Sequence, residues 1–426
     1  MKLLIKPRDK IKGELHVPGD KSISHRSVIL GALAEGTTEV QGFLHGEDSY
    51  RTVNCFRKMG VSIDIERGKV IIEGKGLHGL QEPEDVLDAG NSGTTARLLL
   101  GILAGNPFYS VITGDSSLRS RPMGRVVEPL SKMAATFYGR KGSALLPLSV
   151  LGGDLEAIEY NSPVASAQIK SAILLAGLYA RGVTSVTEPQ LSRDHTERML
   201  KHFGIKVNRK EKRVEVKGLP KMTGKKIEVP GDFSSAAFFI VAASILPGSS
   251  LKIYNVGINP TRTGLLDVLL EMGADICLEN ERIINEEPVA DIRVESARLK
   301  GTGIGGELIP RLIDEIPVLA VAAAVAEGKT VIKDAAELKV KESDRISAVV
   351  QELEKMEAQI EGMPDGMVIH GRRELKGAVC HSQGDHRIAM AMAVAGLAAR
   401  GETRITGSEC INISFPGFDK ALEELG

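Results

Sequence analysis

A small set of charged side chains stands beside segments that read as helix starts. Lys21 and Arg26 lie in VPGDKSISHRS (17–27), Arg119, Arg121 and Arg125 in LRSRPMGR (118–125), Lys341 and Arg345 in LKVKESDR (338–345), and Arg387 in GDHRIAM (384–390). Two carboxylates, Asp314 in LIDEIP and Glu342 next to Lys341, sit among these cations. Any one cation alone reads as solvated surface charge. Placed at equivalent points of a repeat, they read together as a site for a phosphorylated anion, helped by the N–H groups and positive ends of helices. A carboxylate flanked by cations stays ionised and can accept a proton. Asp314 reads equally well as a helix cap, and both readings stand at this stage.

A repeat positions them. An outer-helix ending recurs as FRKMGVSIDI, LSKMAATF, LKHFGIKV, LLEMGADI, LEKMEAQI and ALEELG, marked by Met59, Met133, Phe203, Met272, Met356 and Leu425. An Ala-rich helix running past Gly into a β-branched strand recurs around Gly36, Gly105, Gly182, Gly248, Gly328 and Gly401. Two independent markers at matching intervals predict six α/β units, each with two helices and several short strands. The Ala-rich bodies, such as LLLGILA and VLAVAAAVA, are apolar nearly all round, which predicts burial inside a shell of sheet with their N-termini on one face. VPGD occurs at 17–20 and 229–232. We expect three units per domain, with 1–18 plus 230–426 as one domain, 19–229 as the other, and hinges near 17–20 and 229–232. The first VPGD helix start is expected to face ligand phosphate; the second, VPGDFSSAAF, is expected to be scaffold.

Composition narrows the function. Lys plus Arg number 54 against 55 Asp plus Glu, a net charge of -1, so there is no footprint for nucleic acid or an anionic membrane. Aromatic residues are 4% with no Trp, which leaves few stacking platforms for bases. Cys55, Cys277, Cys380 and Cys410 show no CxxC or metal-ligand spacing and fit reduced thiols of a cytoplasmic protein. The start, MKLLIKPRDK, lacks a signal peptide's apolar stretch, and the longest apolar run, 316–326, falls far short of the roughly 20 residues that span a bilayer. GTGIGG (301–306) matches GxGxxG, but the charged SARLK before it argues against a dinucleotide site.

PGDKSISHR, GNSGTTAR, RSRPMGR, SAQIKSAILLAG, LKVKESDR and GDHRIAMA, in that order, are the residues by which the chain resembles the enolpyruvyl transferases over its full length. Within that family it is most similar to the branch whose acceptor is shikimate 3-phosphate. The resemblance implies an α/β fold of six βαβαββ repeats, three per domain, with buried parallel helices and sheets outside. It implies that phosphoenolpyruvate and shikimate 3-phosphate meet in an interdomain cleft, the 5-hydroxyl attacking C2 while C3 is protonated, with phosphate then lost to give an enol ether on the shikimate route to chorismate and aromatic amino acids. Neither metal nor cofactor is implied, and the protein is expected to be a monomer.

By the same resemblance, the catalytic residues are Lys21, Asp314 and Glu342. Shikimate 3-phosphate is held by Lys21, Ser22, Arg26, Ser166, Ala167, Gln168, Ser192, Arg193, Asp314 and Lys341, and phosphoenolpyruvate by Lys21, Gly93, Arg121, Gln168, Arg345 and Arg387. Asp314 would take the 5-hydroxyl proton and Glu342 would exchange protons at C3. Two phosphomonoesters at about -1.5 to -2 each would be matched by the cations, whose mutual repulsion beforehand predicts closure on binding of the first substrate. Glyphosate sensitivity follows from the bare α-carbon of Gly93, while Leu98 on the same helix could tilt it. Three positions depart from some members: Ile413 replaces a Lys, Glu337 an Asn and Ala167 a Ser. A sister enzyme acting on UDP-N-acetylglucosamine is the nearest alternative, although the place of its catalytic Cys is Ser116 here. A non-catalytic protein that binds phosphorylated metabolites is the other, and it leaves Asp314 and Glu342 without a task.

Overall fold

The structure, a computed structural model, describes residues 2–66, 68–371 and 374–425. The chain divides into two compact units, one of Met1–Pro18, Pro230–Ile283 and Pro288–Gly426, the other of Gly19–Val229 with Ile284–Glu287. The turn 284–287 thus groups with 19–229, where the sequence led us to place it in the other unit. Its grip there is chemical: Asn285 donates to the Glu228 carbonyl at 2.7 Å and Glu287 meets His195 Nδ1 at 2.7 Å, both groups of the latter pair being buried.

Six inner helices form the cores: α1 (Lys21–Leu33), α2 (Gly93–Ala104) and α3 (Ala167–Gly177) in the 19–229 unit, and α4 (Phe233–Ile245), α5 (Ile316–Val325) and α6 (His386–Leu397) in the other. From 316 to 324 every α5 residue is buried, and α4 is buried from 233 to 244. Helices with no polar face are stable only where sheet and neighbouring helices cover them on all sides. Outside run amphipathic helices, Glu47–Lys58, Gly124–Lys132, His195–His202, Gly264–Glu271, Arg345–Lys355 and Phe418–Glu424. Met59, Met133, Phe203, Met272, Met356 and Leu425 are their C-caps, all buried, which is why an apolar residue marks each repeat at that point.

Each repeat contributes a small sheet of one pattern, a parallel pair followed by an antiparallel hairpin. In the 19–229 unit Lys226–Glu228 lies parallel to Glu35–Gln41, which runs antiparallel to Lys69–Lys75. Leu87–Asp88 lies parallel to Tyr109–Thr113, and Glu159–Asn161 to Val183–Thr187. In the other unit Lys12–His16 lies parallel to Ser250–Gly257, and Gly303–Ile304 to Gly328–Ile332. In the last sheet Val379–His381 lies parallel to Thr403–Thr406 and Lys2–Ile5 supplies the antiparallel strand.

The strand before each VPGD belongs to one unit and the helix after it to the other. The glycines there serve close approach. A Cβ on Gly19 would sit 1.8 Å from the Gly42 carbonyl oxygen, and one on Gly231 would sit 2.8 Å from Val17 Cγ2. The GTGIGG segment forms a two-residue strand and a 3₁₀ turn, without the strand–turn–helix that a dinucleotide site needs. No helix among the described residues is long and apolar enough to cross a membrane.

Candidate functional site

In the 19–229 unit, Asp20 caps α1 by accepting the Ile23 N–H at 2.8 Å, and Lys21, the first helical residue, pairs with Asp48. Arg26 is 4% exposed. Its Nε donates to Thr196 Oγ1 at 2.7 Å, Nη2 to Ser171 Oγ at 2.9 Å and Nη1 to the Ser22 carbonyl at 2.9 Å. All three partners are neutral. Burial lowers the guanidinium pKa to about 10, with Glu197 and Asp20 opposing the shift from a distance. A buried cation whose direct hydrogen-bond partners are all neutral is primed for an anion.

The three inner helix starts of this unit are tied together. His25 Nδ1 meets Thr52 Oγ1 at 2.7 Å, Thr52 meets Thr95 Oγ1 at 2.7 Å, and Thr95 donates to Ser92 Oγ, the α2 cap, at 2.8 Å. Burial, then Lys21 and Arg26, hold the His25 pKa well below its usual value, so the ring is neutral. Arg26 links α1 to Ser171 on α3.

Gly93 opens α2, and a Cβ there would lie 3.2 Å from Arg97 Nη1 and 3.6 Å from Arg121 Nη1. Arg121 is buried and held by Asn91, through Oδ1 at 2.6 Å and the carbonyl at 3.3 Å. Gln168 accepts from Arg97 and donates to Thr94 Oγ1 at 3.2 Å, while Ser166 caps α3 just before Ala167. Gly93, Arg121 and Gln168 therefore form one cluster. Arg119 is exposed and keeps the surface role that a lone cation suggests, and Arg125 is half-buried. Ser192 is buried, its hydroxyl donating to Glu188 Oε1 at 2.5 Å, and Arg193 beside it is half-buried.

The other unit concentrates carboxylates. Arg345, 1% exposed, opens the helix after LKVKESD and donates to Asp385 Oδ2 from Nε at 2.8 Å, to Asp314 Oδ1 from Nη1 at 3.0 Å and to Glu342 Oε2 from Nη2 at 2.6 Å. Burial alone would lower its pKa; Asp385, Glu342 and Asp314 outweigh that and raise it above the ordinary value. Asp314 also faces Lys341 Nζ at 3.3 Å and Arg387 Nη2 at 3.9 Å, and Arg387 Nη1 donates to the Asp314 carbonyl at 3.0 Å. The cap reading of Asp314 fails, since Glu315 holds the N-cap of α5 and makes no side-chain capping bond. Asp314 and Glu342 are instead both fixed on the Arg345 guanidinium.

Helix-end N–H groups are less available than the sequence suggested. Asp20, Ser92, Ser166, Asp232 and Asp385 each cap their inner helix with their own side chain. The second VPGD start is also less plain than its apolar sequence: Arg262, 2% exposed, donates to Asp232 Oδ1 at 3.2 Å and to Ser234 Oγ at 2.6 Å. Its charge comes from the following loop, INPTRTG. Sequence reading missed Asp48, Arg97, Arg262 and Asp385. Arg97 is four residues after Gly93 on one helix, a spacing that puts both on one face. Asp48 lies 11 residues ahead of Met59 and Arg262 lies 10 ahead of Met272, so aligning the repeats on these markers does not pair them, and no local signal singled out either. Ile413 is half-buried and Glu337 exposed, each in a 3₁₀ turn.

Six α/β repeats with buried inner helices, their starts lined by fixed cations and a carboxylate pair, define the enolpyruvyl transferase class. The sequence pattern of the family described as EPSP synthase (3-phosphoshikimate 1-carboxyvinyltransferase) matches residues 5–422. The 3-phosphoshikimate 1-carboxyvinyltransferase of Desulforamulus reducens is 61% identical over 426 residues, covering 100% of this chain and 99% of its own. That of Pelotomaculum thermopropionicum is 61% identical over 417 residues, covering 97% and 96%. The solved EPSP synthase of Acinetobacter baumannii superposes with a TM-score of 0.89 at 48% identity, over 100% of this chain and 98% of that one. The chain belongs to the EPSP synthase family.

Proposed function

We propose that this chain transfers the enolpyruvyl group of phosphoenolpyruvate to the 5-hydroxyl of shikimate 3-phosphate and releases inorganic phosphate. The observation that carries this reading is the pairing of Asp314 and Glu342 on the Arg345 guanidinium, with Lys341 and Arg387 beside Asp314. The reaction needs two proton-handling groups. The acceptor hydroxyl loses its proton as its oxygen bonds to C2, and C3 gains a proton; C3 then gives one up as the C2–O bond to phosphate breaks. Asp314 takes the hydroxyl proton, Glu342 exchanges the proton at C3, and Lys21 binds both substrates and shares in proton transfer. The surrounding cations stabilise the phosphate as it leaves.

Arg26, Ser22, Ser166, Ala167, Gln168, Ser192, Arg193 and Lys341 hold the acceptor in this reading, and Gly93, Arg121, Gln168, Arg345 and Arg387 hold the donor. Arg345 already bonds three carboxylates through Nε, Nη1 and Nη2, so donor phosphate would share this guanidinium with them. Glyphosate would compete beside Gly93, where the nearest side-chain atoms are the guanidinium tips of Arg97 and Arg121. A monomer is part of this reading. The four free cysteines fit a cytoplasmic setting.

The test is phosphate release from phosphoenolpyruvate with shikimate 3-phosphate and, separately, with UDP-N-acetylglucosamine. Turnover with the first alone is expected. Turnover with only the second, or with neither, defeats the proposal.

A further inference from the structure

We propose that Lys170 is a positioning residue that sets acceptor affinity by half-neutralising two buried glutamates. It lies on α3, 2% exposed, with Nζ at 2.8 Å from both Glu188 Oε2 and Glu197 Oε1, which are themselves buried. Neither the repeat nor the proposed chemistry needs this cation. Burial by itself would lower the lysine pKa; Glu197 and Glu188 outweigh it and raise it, so the ammonium is charged. A buried charged triad is a poor way to fill a core compared with apolar side chains, so its geometry points to a task.

The triad reaches the acceptor residues from two sides. Lys170 Nζ lies 3.3 Å from the Ser192 carbonyl, and Glu188 accepts the Ser192 hydroxyl at 2.5 Å and its N–H at 3.4 Å, so three atoms of Ser192 are fixed. The Ser192 hydroxyl gives its proton to Glu188 and must turn from it to donate to a phosphate, so the triad sets how readily Ser192 joins Arg26 and Arg193 in holding the acceptor. Glu197 follows Thr196, whose Oγ1 receives Arg26 Nε, and its charge acts on Arg26 directly. Glu197 Oε2 is buried without a hydrogen-bond partner. Arg26, Lys170, Glu188 and Glu197 sum to zero. Without Lys170 the sum is -1, against an incoming phosphate of about -2.

The inference rests on the proposed function, and one set of assays separates the two. Phosphate release is measured for wild type, Lys170→Met, Glu197→Gln and the double variant, with KM read for each substrate. Lys170→Met is expected to raise the shikimate 3-phosphate KM at least about 10-fold and the phosphoenolpyruvate KM less than about 3-fold. The double variant, its sum restored to zero, is expected to recover to within about 3-fold of wild type. A merely structural triad would make the double variant worse, and that result overturns the proposal, as does an unchanged KM in Lys170→Met. If Lys170→Met does not fold, Glu197→Gln decides alone: a lower shikimate 3-phosphate KM supports the proposal and a higher one overturns it. No turnover by wild type would defeat the function itself.

Discussion

Arg26 and Arg345 are both buried guanidiniums at helix starts, 4% and 1% exposed, and they are compensated in opposite ways. Arg26 bonds two hydroxyls and a carbonyl, and its pKa falls to about 10; Arg345 bonds three carboxylates, and its pKa rises. In the proposed reading the first is open to an external anion, and the second fixes Asp314 and Glu342 while it shares in holding the donor. The same repeat thus surrounds one buried guanidinium with neutral dipoles and the other with carboxylates.

The largest test of this contrast is Arg345→Met. It leaves Asp314, Glu342 and the fully buried Asp385 without their shared cation, so we expect a loss of about 3–5 kcal/mol in stability and of activity by more than about 1000-fold, read by denaturant unfolding and phosphate release. Arg26→Met should behave in the reverse sense. Ser171 and Thr196 keep their mutual 2.6 Å hydrogen bond, so stability should stay within about 1 kcal/mol, while the acceptor KM rises at least about 100-fold. Equal destabilisation by both substitutions would break the comparison.

A smaller effect is expected at Gly93. The added methyl of Gly93→Ala meets only flexible guanidinium tips, so the fold should persist. Inhibition by glyphosate should weaken by at least about 10-fold and the phosphoenolpyruvate KM rise by less than about 5-fold, because a small steric change is worth about 1–3 kcal/mol at most. Equal losses would remove the steric account.

The smallest effect is one of pH. His25 is kept neutral in the folded state by burial and by Lys21 and Arg26, whereas in the unfolded chain it titrates near about 6.5. Below that pH the unfolded state takes up a proton that the native state refuses, so stability falls as pH falls, by up to about 1.4 kcal/mol per unit. His25→Gln should flatten the stability profile between about pH 6.5 and 5. An unchanged slope would show that the cation-rich half does not exclude a further charge there.

The repeat was legible because each marker has a local physical cause: an apolar C-cap under every outer helix, and Gly just beyond every inner one. The clusters were legible only in part. Gly93, Arg121 and Gln168 carry motif signals and do meet, but Arg97, which joins them, looks in sequence like one more helix-surface arginine. Asp385 caps its inner helix, and that it also takes two bonds from Arg345 depends on a helix 40 residues earlier in the chain.

By itself the sequence determined six units, which helices are buried, and which cations stand at helix starts, because period, capping and hydrophobicity act over a few residues. Only the tertiary structure decided which carboxylate or hydroxyl each cation would meet. Those partners lie on different repeats, and a guanidinium's compensation depends on distances of about 3 Å that no local pattern encodes.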